Sequence, residues 1–421
     1  MLYRRAVRLP LAGAVSLSYT HWLQRLPWNR WQLSLAEAIT EGPGSRSYWP
    51  WRLPGGRRLL QLAVEVVRGQ AAAPIGCSGC RRSLPLVAAG AGSGLSAVME
   101  PAAALQILVA VALAALGLLV FIAHATAIKM PNLVRGEKEK YFLNANSARK
   151  ELFPSIHDPS TKELSVIVPS YNEEQRLPRM MDEALEYLEQ RLKKDSSFSY
   201  EVIVVDDGSK DKTTEVGLTY SKKYGSDAVR VLTLTQNRGK GGAIKMGVLS
   251  SRGRFILMAD ADGATKFADI EKVEAALKAL QPGPDDMAIS CGSRAHLEKD
   301  TIANRSYFRT LLMYGFHFLV WFLCVRGVKD TQCGFKLLTR EAARTTFSML
   351  HVDRWAFDVE LLYIAQCLKI PITEVAVEWT EIEGSKLVPF WSWLQMGKDL
   401  LFIRLRYLTG AWNLEKPKKV N

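Results

Sequence analysis

From residue 164 onward, short apolar runs alternate with amphipathic stretches, and no other feature constrains the fold as tightly. Strands are expected at 164–169, 201–206, 229–234, 255–260 and 287–291. Between them, 176–194, 211–224, 240–251 and 268–280 carry helical periodicity. This alternation predicts a parallel sheet covered on both faces. Ligands of such sheets bind beyond the C-terminal ends of the strands. Four polar signatures fall there: 168–174 (VPSYNEE), 205–209 (VDDGS), 237–242 (NRGKGG) and 260–263 (DADG).

The last signature says most about chemistry. Asp260 and Asp262 stand one residue apart at the end of an apolar run. Such carboxylates can hold a divalent cation against a diphosphate, because hard cations take oxygen ligands and share them with phosphates. A lone D-x-D is weak, since acids cap many helices. The three signatures that precede it in register give it weight.

The other signatures each carry a local and a functional reading. Pro169 is expected to end its strand's ladder, with Asn172 capping the following helix. Ser209 suits an N-cap. Gly208 permits close backbone approach, and Asp206 or Asp207 can accept from base or ribose hydroxyls. The glycine-rich stretch opens a helix whose backbone N–H groups suit phosphate. It is no Walker loop, because Lys240 is not followed by Ser or Thr, and Ile244 stands where a dinucleotide fingerprint needs its last glycine. Kinase and dehydrogenase readings fail on that spacing. Arg294 and Arg309 offer cations suited to bidentate phosphate recognition, whereas Arg305 reads better as a surface ion pair. Asp358 and Glu360 would diverge on a helix and share a face on a strand. Either could orient an acceptor, relay a proton or serve structure alone.

The formal charge of +13 is concentrated in residues 1–98, which hold twelve Arg, three Glu, no Lys and no Asp. Their net +9 leaves +4 for residues 99–421. Nucleic-acid binding thereby loses its electrostatic argument. The composition of 1–98 fits an atypical, disordered extension ahead of a chain starting at Met99, or a targeting segment. Its Cys77 and Cys80 have C-x-x-C spacing but no second pair nearby. Cys291, Cys324, Cys333 and Cys367 read as free thiols of a reducing compartment.

Residues 102–123 are apolar and uncharged over the length of a membrane span. An anchor is expected over 99–128, then a connector over 129–162, a catalytic domain over 163–380 and a C-terminal segment over 381–421. Lys129, Arg135, Lys138 and Lys140 follow the anchor, which predicts a cytosolic catalytic domain. Use of the sequon at Asn304 would contradict that topology. Segment 310–325 is apolar, shorter than a span and carries His317, while 387–412 mixes aromatic residues with Lys398, Arg404 and Arg406; each reads as an interfacial helix or as a buried one.

As an ordered set, the four signatures resemble those of the inverting nucleotide-sugar glycosyltransferases of family 2, with the GT-A fold. The later GSR, the run 329–335 (KDTQCGF) and the anchor resemble the polyprenyl-phosphate sugar transferase branch, over about residues 99–421. The resemblance implies an α/β fold, Rossmann-like with a mostly parallel sheet, plus an N-terminal transmembrane helix and C-terminal interface helices. It implies UDP-glucose as donor, dolichyl phosphate as acceptor and Mg²⁺ or Mn²⁺ as cofactor, at the cytosolic face of the endoplasmic reticulum. By the same resemblance Pro169, Tyr171, Glu173 and Asp207 contact the nucleoside, and Asp206 and Lys240 belong to the donor site. Asp260 and Asp262 handle metal and diphosphate, and Arg294 with Arg309 holds the acceptor phosphate. Alternatives are a GDP-mannose enzyme of the same class and an inactive membrane tether. Two departures stand out. Ala264 occupies the place where related mannosyl enzymes carry a further metal ligand. Residues 351–355 (HVDRW) lack the Gln of the processive synthases' Q-x-x-R-W.

Overall fold

The computed structural model describes residues 101–128, 133–144, 146–280, 286–297, 307–382 and 389–414. The expectations for residues 1–98, Lys129, Asn304 and Arg305 lie outside them, as does the side chain of Arg309.

Among the described residues, seven strands form one sheet in the order β5-β4-β3-β6-β8-β7-β9. They are β3 (Lys162–Ser170), β4 (Tyr200–Asp206), β5 (Val229–Thr233), β6 (Gly253–Met258), β7 (Ile289–Ser293), β8 (Lys336–Thr339) and β9 (Ile372–Ala376). A separate hairpin pairs β1 (Tyr141–Leu143) with β2 (Lys150–Leu152). β3 runs parallel to β4 and β6, β4 to β5, and β7 to β9. The sheet is mixed, because β8 inserts antiparallel between β6 and β7. All five expected strands form, shifted by at most two residues at each end.

Two apolar layers cover the sheet. Val166, Val168, Val202 and Val204 face one layer, with α2 (Leu177–Lys194), α3 (Thr213–Tyr224) and α5 (Ile270–Ala279). Ile167, Ile203 and Val205 face the other, with α4 (Lys240–Val248), α7 (Arg340–Met349) and α8 (Phe357–Cys367). Period-two alternation sends successive side chains to opposite layers, so strands buried on both faces read as continuous apolar runs. Each fully buried Val or Ile contributes about 1.5–3 kcal/mol. In α2, Leu177, Met180, Met181, Ala184, Leu185 and Leu188 are buried at helical spacing, and the opposite face is charged.

Helix α1 (Pro101–Ala125) is the one helix among the described residues long and apolar enough to cross a membrane. Of its side chains only Ala123 is buried. Its C-terminal end is tied to α9 (Pro389–Leu408) and the turn beyond. Arg406 Nε donates to the Ala123 carbonyl at 3.2 Å, and Trp412 Nε1 to the Ile128 carbonyl at 3.0 Å. Such donors satisfy carbonyls that a helix end leaves without partners. Helix α6 (Tyr307–Leu323) buries Phe316 and Val320 but exposes Tyr314, Phe318, Trp321 and Phe322.

Three local expectations are corrected. Pro169 stays inside β3, in register with Val205, and the ladder continues to Ser170. Asn172 and Ser209 cap no helix; they bind each other's loops. The Asn172 N–H donates to Ser209 Oγ at 2.9 Å, and the Lys210 N–H donates to Asn172 Oδ1 at 2.8 Å.

Candidate active site

The four signatures meet at one end of the sheet, around a cleft of about 620 Å³. Each turns sharply as it leaves its strand or enters its helix. Asn172, Gly208, Gly239 and Gly263 all take positive φ, between 52° and 84°, a region open mainly to Gly and Asn.

One part of the cleft is lined by Pro169, Tyr171, Glu173, Arg176, Asp207 and Asn237. Asp207 organises it. Its Oδ1 accepts from the Arg238 N–H at 2.7 Å and its Oδ2 from the Gly239 N–H at 2.8 Å. Burial pushes the Asp207 carboxyl up to about 6, against those two N–H groups that favour its ionised form. These amides of the glycine-rich turn therefore serve a carboxylate, where the sequence suggested phosphate. Glu173 receives Arg176 through Nε at 2.7 Å and Nη2 at 2.6 Å. Asp206 sits beneath the turn rather than on the cleft wall. Its Oδ1 accepts from the Ser209 N–H at 2.9 Å and its Oδ2 from the Thr214 hydroxyl.

Asp260 and Asp262 both line the cleft just past β6, which ends at Met258 rather than reaching them. Lys240, the first residue of α4, places Nζ 2.7 Å from Asp260 Oδ1. Burial works most strongly to raise the Asp260 carboxyl, yet Lys240, Lys336 and Arg294 together hold the group below its ordinary value. Asp262 lies above its ordinary value through burial and the nearby Asp260. Its Oδ1 accepts from the Ala264 N–H at 3.0 Å. Gly334 leaves room for Asp260: a Cβ there would lie 2.1 Å from Oδ2.

Arg294, Gln332, Arg354, Trp355, Asp358 and Trp379 also line the cleft. Arg294 grips Asp330 in a fork, with Nε to Oδ2 at 2.7 Å and Nη2 to Oδ1 at 2.9 Å. Burial opposes its charge, but Asp330 keeps the guanidinium above its usual range. A guanidinium has five N–H donors, and this fork uses two. Asp358 lies in the first turn of α8 and pairs with the buried Lys336 at 2.6 Å. Glu360, two residues on, points away as a helix requires. It accepts from the His351 and Val352 N–H groups and from Tyr407 Oη at 2.8 Å.

All the expected donor-site residues except Asp206 line this cleft, together with Asp262, Arg294 and Asp358. Sequence reasoning missed Arg176, Asp330, Gly334 and Lys336. The signal for Asp330 and Gly334 was the run 329–335, read as a whole rather than residue by residue, and Lys336 directly follows it. Cys291, Cys324, Cys333 and Cys367 are free thiols, as expected.

A mixed, mostly parallel sheet with these loops at its carboxyl edge is the GT-A arrangement. The sequence model of the family "Glycosyl transferase family 2" matches residues 165–347. Among curated relatives, the human dolichyl-phosphate beta-glucosyltransferase is 73% identical over 312 residues, covering 74% of this chain and 96% of that protein. The Drosophila melanogaster protein of the same name is 59% identical over 73% of this chain and 94% of its own length. That of Saccharomyces cerevisiae is 41% identical over 60% and 77%. With identity this high across nearly the full length of such relatives, the chain belongs to the dolichyl-phosphate beta-glucosyltransferases of glycosyl transferase family 2.

Proposed function

We propose that this chain moves glucose from UDP-glucose to dolichyl phosphate with inversion at the anomeric carbon, giving dolichyl beta-glucosyl phosphate. The observation that carries the reading is the convergence of Asp260 and Asp262 with Lys240 and Arg294 on one cleft. Acids able to hold a cation stand there between two cations able to hold phosphate. The names of the relatives favour glucose over mannose, and favour an active transferase over an inert tether.

Asp260 and Asp262 fit a hard divalent ion, Mg²⁺ or Mn²⁺. Both supply oxygen donors to the same cleft, and Gly334, lacking a Cβ, lets the Asp260 carboxylate sit where it does. Among the described residues no cluster of three His, Cys, Asp or Glu forms, and Ala264 brings no third side-chain donor. Phosphate oxygens and water complete such a shell. When bound, the ion supplies charge compensation to the departing diphosphate.

The chain's own residues do the rest. The Asp207 turn and the Glu173–Arg176 pair shape the nucleoside wall. Arg294, braced by Asp330, presents a planar cation to the acceptor phosphate, with Arg309 as a second candidate. One acceptor phosphate oxygen bonds to C1 from the face opposite UDP. The C1–oxygen bond to the diphosphate breaks, and its electron pair leaves with UDP. A phosphate monoester is anionic near neutral pH, so no strong base is required. Asp358, tied to Lys336, then acts on the charge balance of the cleft. Positioning and preorganised electrostatics supply most of the rate.

In this reading residues 99–128 anchor the chain, 129–162 connect, 163–380 catalyse and 381–421 lie at the interface of the endoplasmic reticulum membrane. The cationic flank at Arg135, Lys138 and Lys140 supports a cytosolic catalytic domain. The exposed Phe318, Trp321 and Phe322 of α6, which packs beside α9, support a surface that meets lipid.

The test supplies membranes containing the chain with radiolabelled UDP-glucose, dolichyl phosphate and Mn²⁺. The expected product is a glucosylated lipid labile to mild acid, with GDP-mannose inert and Asp262→Ala inactive. No product from folded protein, or full activity in Asp262→Ala, would overturn the reading.

A further inference from the structure

We infer that Lys240 is a resident counter-cation that keeps Asp260 from a divalent ion until a diphosphate enters the cleft. This rests on the proposed transfer reaction and assigns the order in which its parts assemble.

Two lysine–aspartate pairs stand side by side here. Lys336 and Asp358 meet at 2.6 Å with side chains 0% and 4% exposed. Lys240 and Asp260 meet at 2.7 Å with side chains 18% and 36% exposed. Burial makes the first pair permanent, because separating it would strand a charge away from water. The second opens onto the cleft and can exchange partners.

The root of Lys240 is fixed while its tip is not. Gly239 precedes it with φ +84°, and a Cβ there would lie 2.7 Å from the Asp353 carbonyl oxygen. The backbone at the start of α4 is thus held against the 351–355 segment. The lysine's four-carbon stem remains a flexible tether for a point charge.

Charge balance gives the device its direction. Lys240, Lys336, Asp260, Asp262 and Asp358 together carry one net negative charge when ionised. A dication entering alone would turn the cluster positive, with the Lys240 ammonium beside it. The same ion arriving with a diphosphate leaves the cluster negative. The metal is therefore disfavoured alone and favoured with the donor. The ammonium that Asp260 releases becomes available to the diphosphate. Coupling between linked ligands is reciprocal and typically about 5- to 150-fold.

The experiment measures binding of Mn²⁺ alone to the full chain in detergent micelles, by the electron paramagnetic resonance of the free ion. It is repeated with UDP. Wild type is expected to bind Mn²⁺ weakly alone and much more tightly with UDP. Lys240→Met is expected to bind Mn²⁺ alone about tenfold more tightly, within the usual coupling range, and to gain less from UDP. Lys240→Arg should restore weak binding, and Asp260→Asn should bind Mn²⁺ poorly in every condition. Lys240→Gln carries the same comparison should the Met variant fail to fold. Unchanged or weaker Mn²⁺ binding in the neutral variants overturns the inference. The transfer assay on wild type is run in parallel. Transfer without the Mn²⁺ difference sinks the lysine device alone. A Mn²⁺ difference without transfer sinks the proposed reaction alone.

Discussion

Lys336 Nζ stands 2.6 Å from Asp358 Oδ1 and equally close to the Cys333 carbonyl oxygen, so the wall of the cleft is built on a buried ion pair. Burial holds Asp358 above its ordinary pKa despite the lysine. Removing one member of such a pair leaves a charge with neither water nor partner, at about 3–5 kcal/mol. Lys336→Met and Asp358→Asn should each lower stability by that order. The double variant should recover much of the loss. Denaturant midpoints of the four proteins give the coupling directly. Additive losses would mean that the two side chains do not depend on each other.

Gly334 and Asp260 are in closer contact than any other residue could allow. A Cβ on Gly334 would sit 2.1 Å from Asp260 Oδ2 and 2.6 Å from Oδ1. The Ala variant must displace the carboxylate. A misplacement of about 1 Å in a reacting constellation can cost about 100-fold. Gly334→Ala should therefore lose activity by about that factor, with Mn²⁺ binding weakened alongside. A variant with unchanged turnover would show that the Asp260 position is not critical.

The placement of these acids was legible because apolar runs end where the signatures begin. A strand such as 200–206 is buried along its whole length, and its sequence says so. The positive-φ turns at Gly208, Gly239 and Gly263 were also foreshadowed by their glycines. The partners of the acids were not legible. Lys336 and Asp358 are 22 residues apart and Glu139 and Arg238 are 99 apart, distances at which local periodicity is silent. Asn172 and Ser209 misled for the same reason, since each spends its side chain on the other's loop. Strand β8 was invisible because four residues in antiparallel insertion leave no alternation to read.

Asp207 sets a pH dependence. Burial pushes its carboxyl up to about 6. A folded-state pKa raised above the unfolded value contributes stability that is fully present below about 4 and lost as pH rises through about 6. Binding runs the other way. Protonation removes an acceptor from the Arg238 or Gly239 N–H and loosens the turn on the cleft wall. UDP affinity should fall as pH drops below about 6, even as this residue's share of stability grows. Asp207→Asn should bind UDP weakly and keep only the pH dependence that the terminal phosphate of UDP brings over that window. Calorimetric titration with UDP at several pH values checks both, and a wild-type affinity independent of pH across 5–7 would refute the link.

Residues 134–139, between α1 and β1, reach the same turn. Glu139 is 1% exposed, and its Oε2 accepts from Arg238 Nη2 at 2.5 Å and from the Gly136 N–H at 2.9 Å. Its Oε1 takes the Thr235 N–H and hydroxyl at 2.9 and 2.8 Å. Arg238 Nη1 also donates to the Val134 carbonyl at 3.0 Å, while its backbone N–H serves Asp207. The residues that follow α1 thus brace the glycine-rich loop at the edge of the cleft. Hydrogen bonds to charged groups contribute about 1.5–3 kcal/mol. Glu139→Gln keeps the shape and loses the charge, so it should raise the donor KM about tenfold or more while kcat changes less. Arg238→Gln should do the same, and the double variant should be little worse than either. Equal losses in kcat with an unchanged KM would place the defect in the chemical step, and this bracing role would fall.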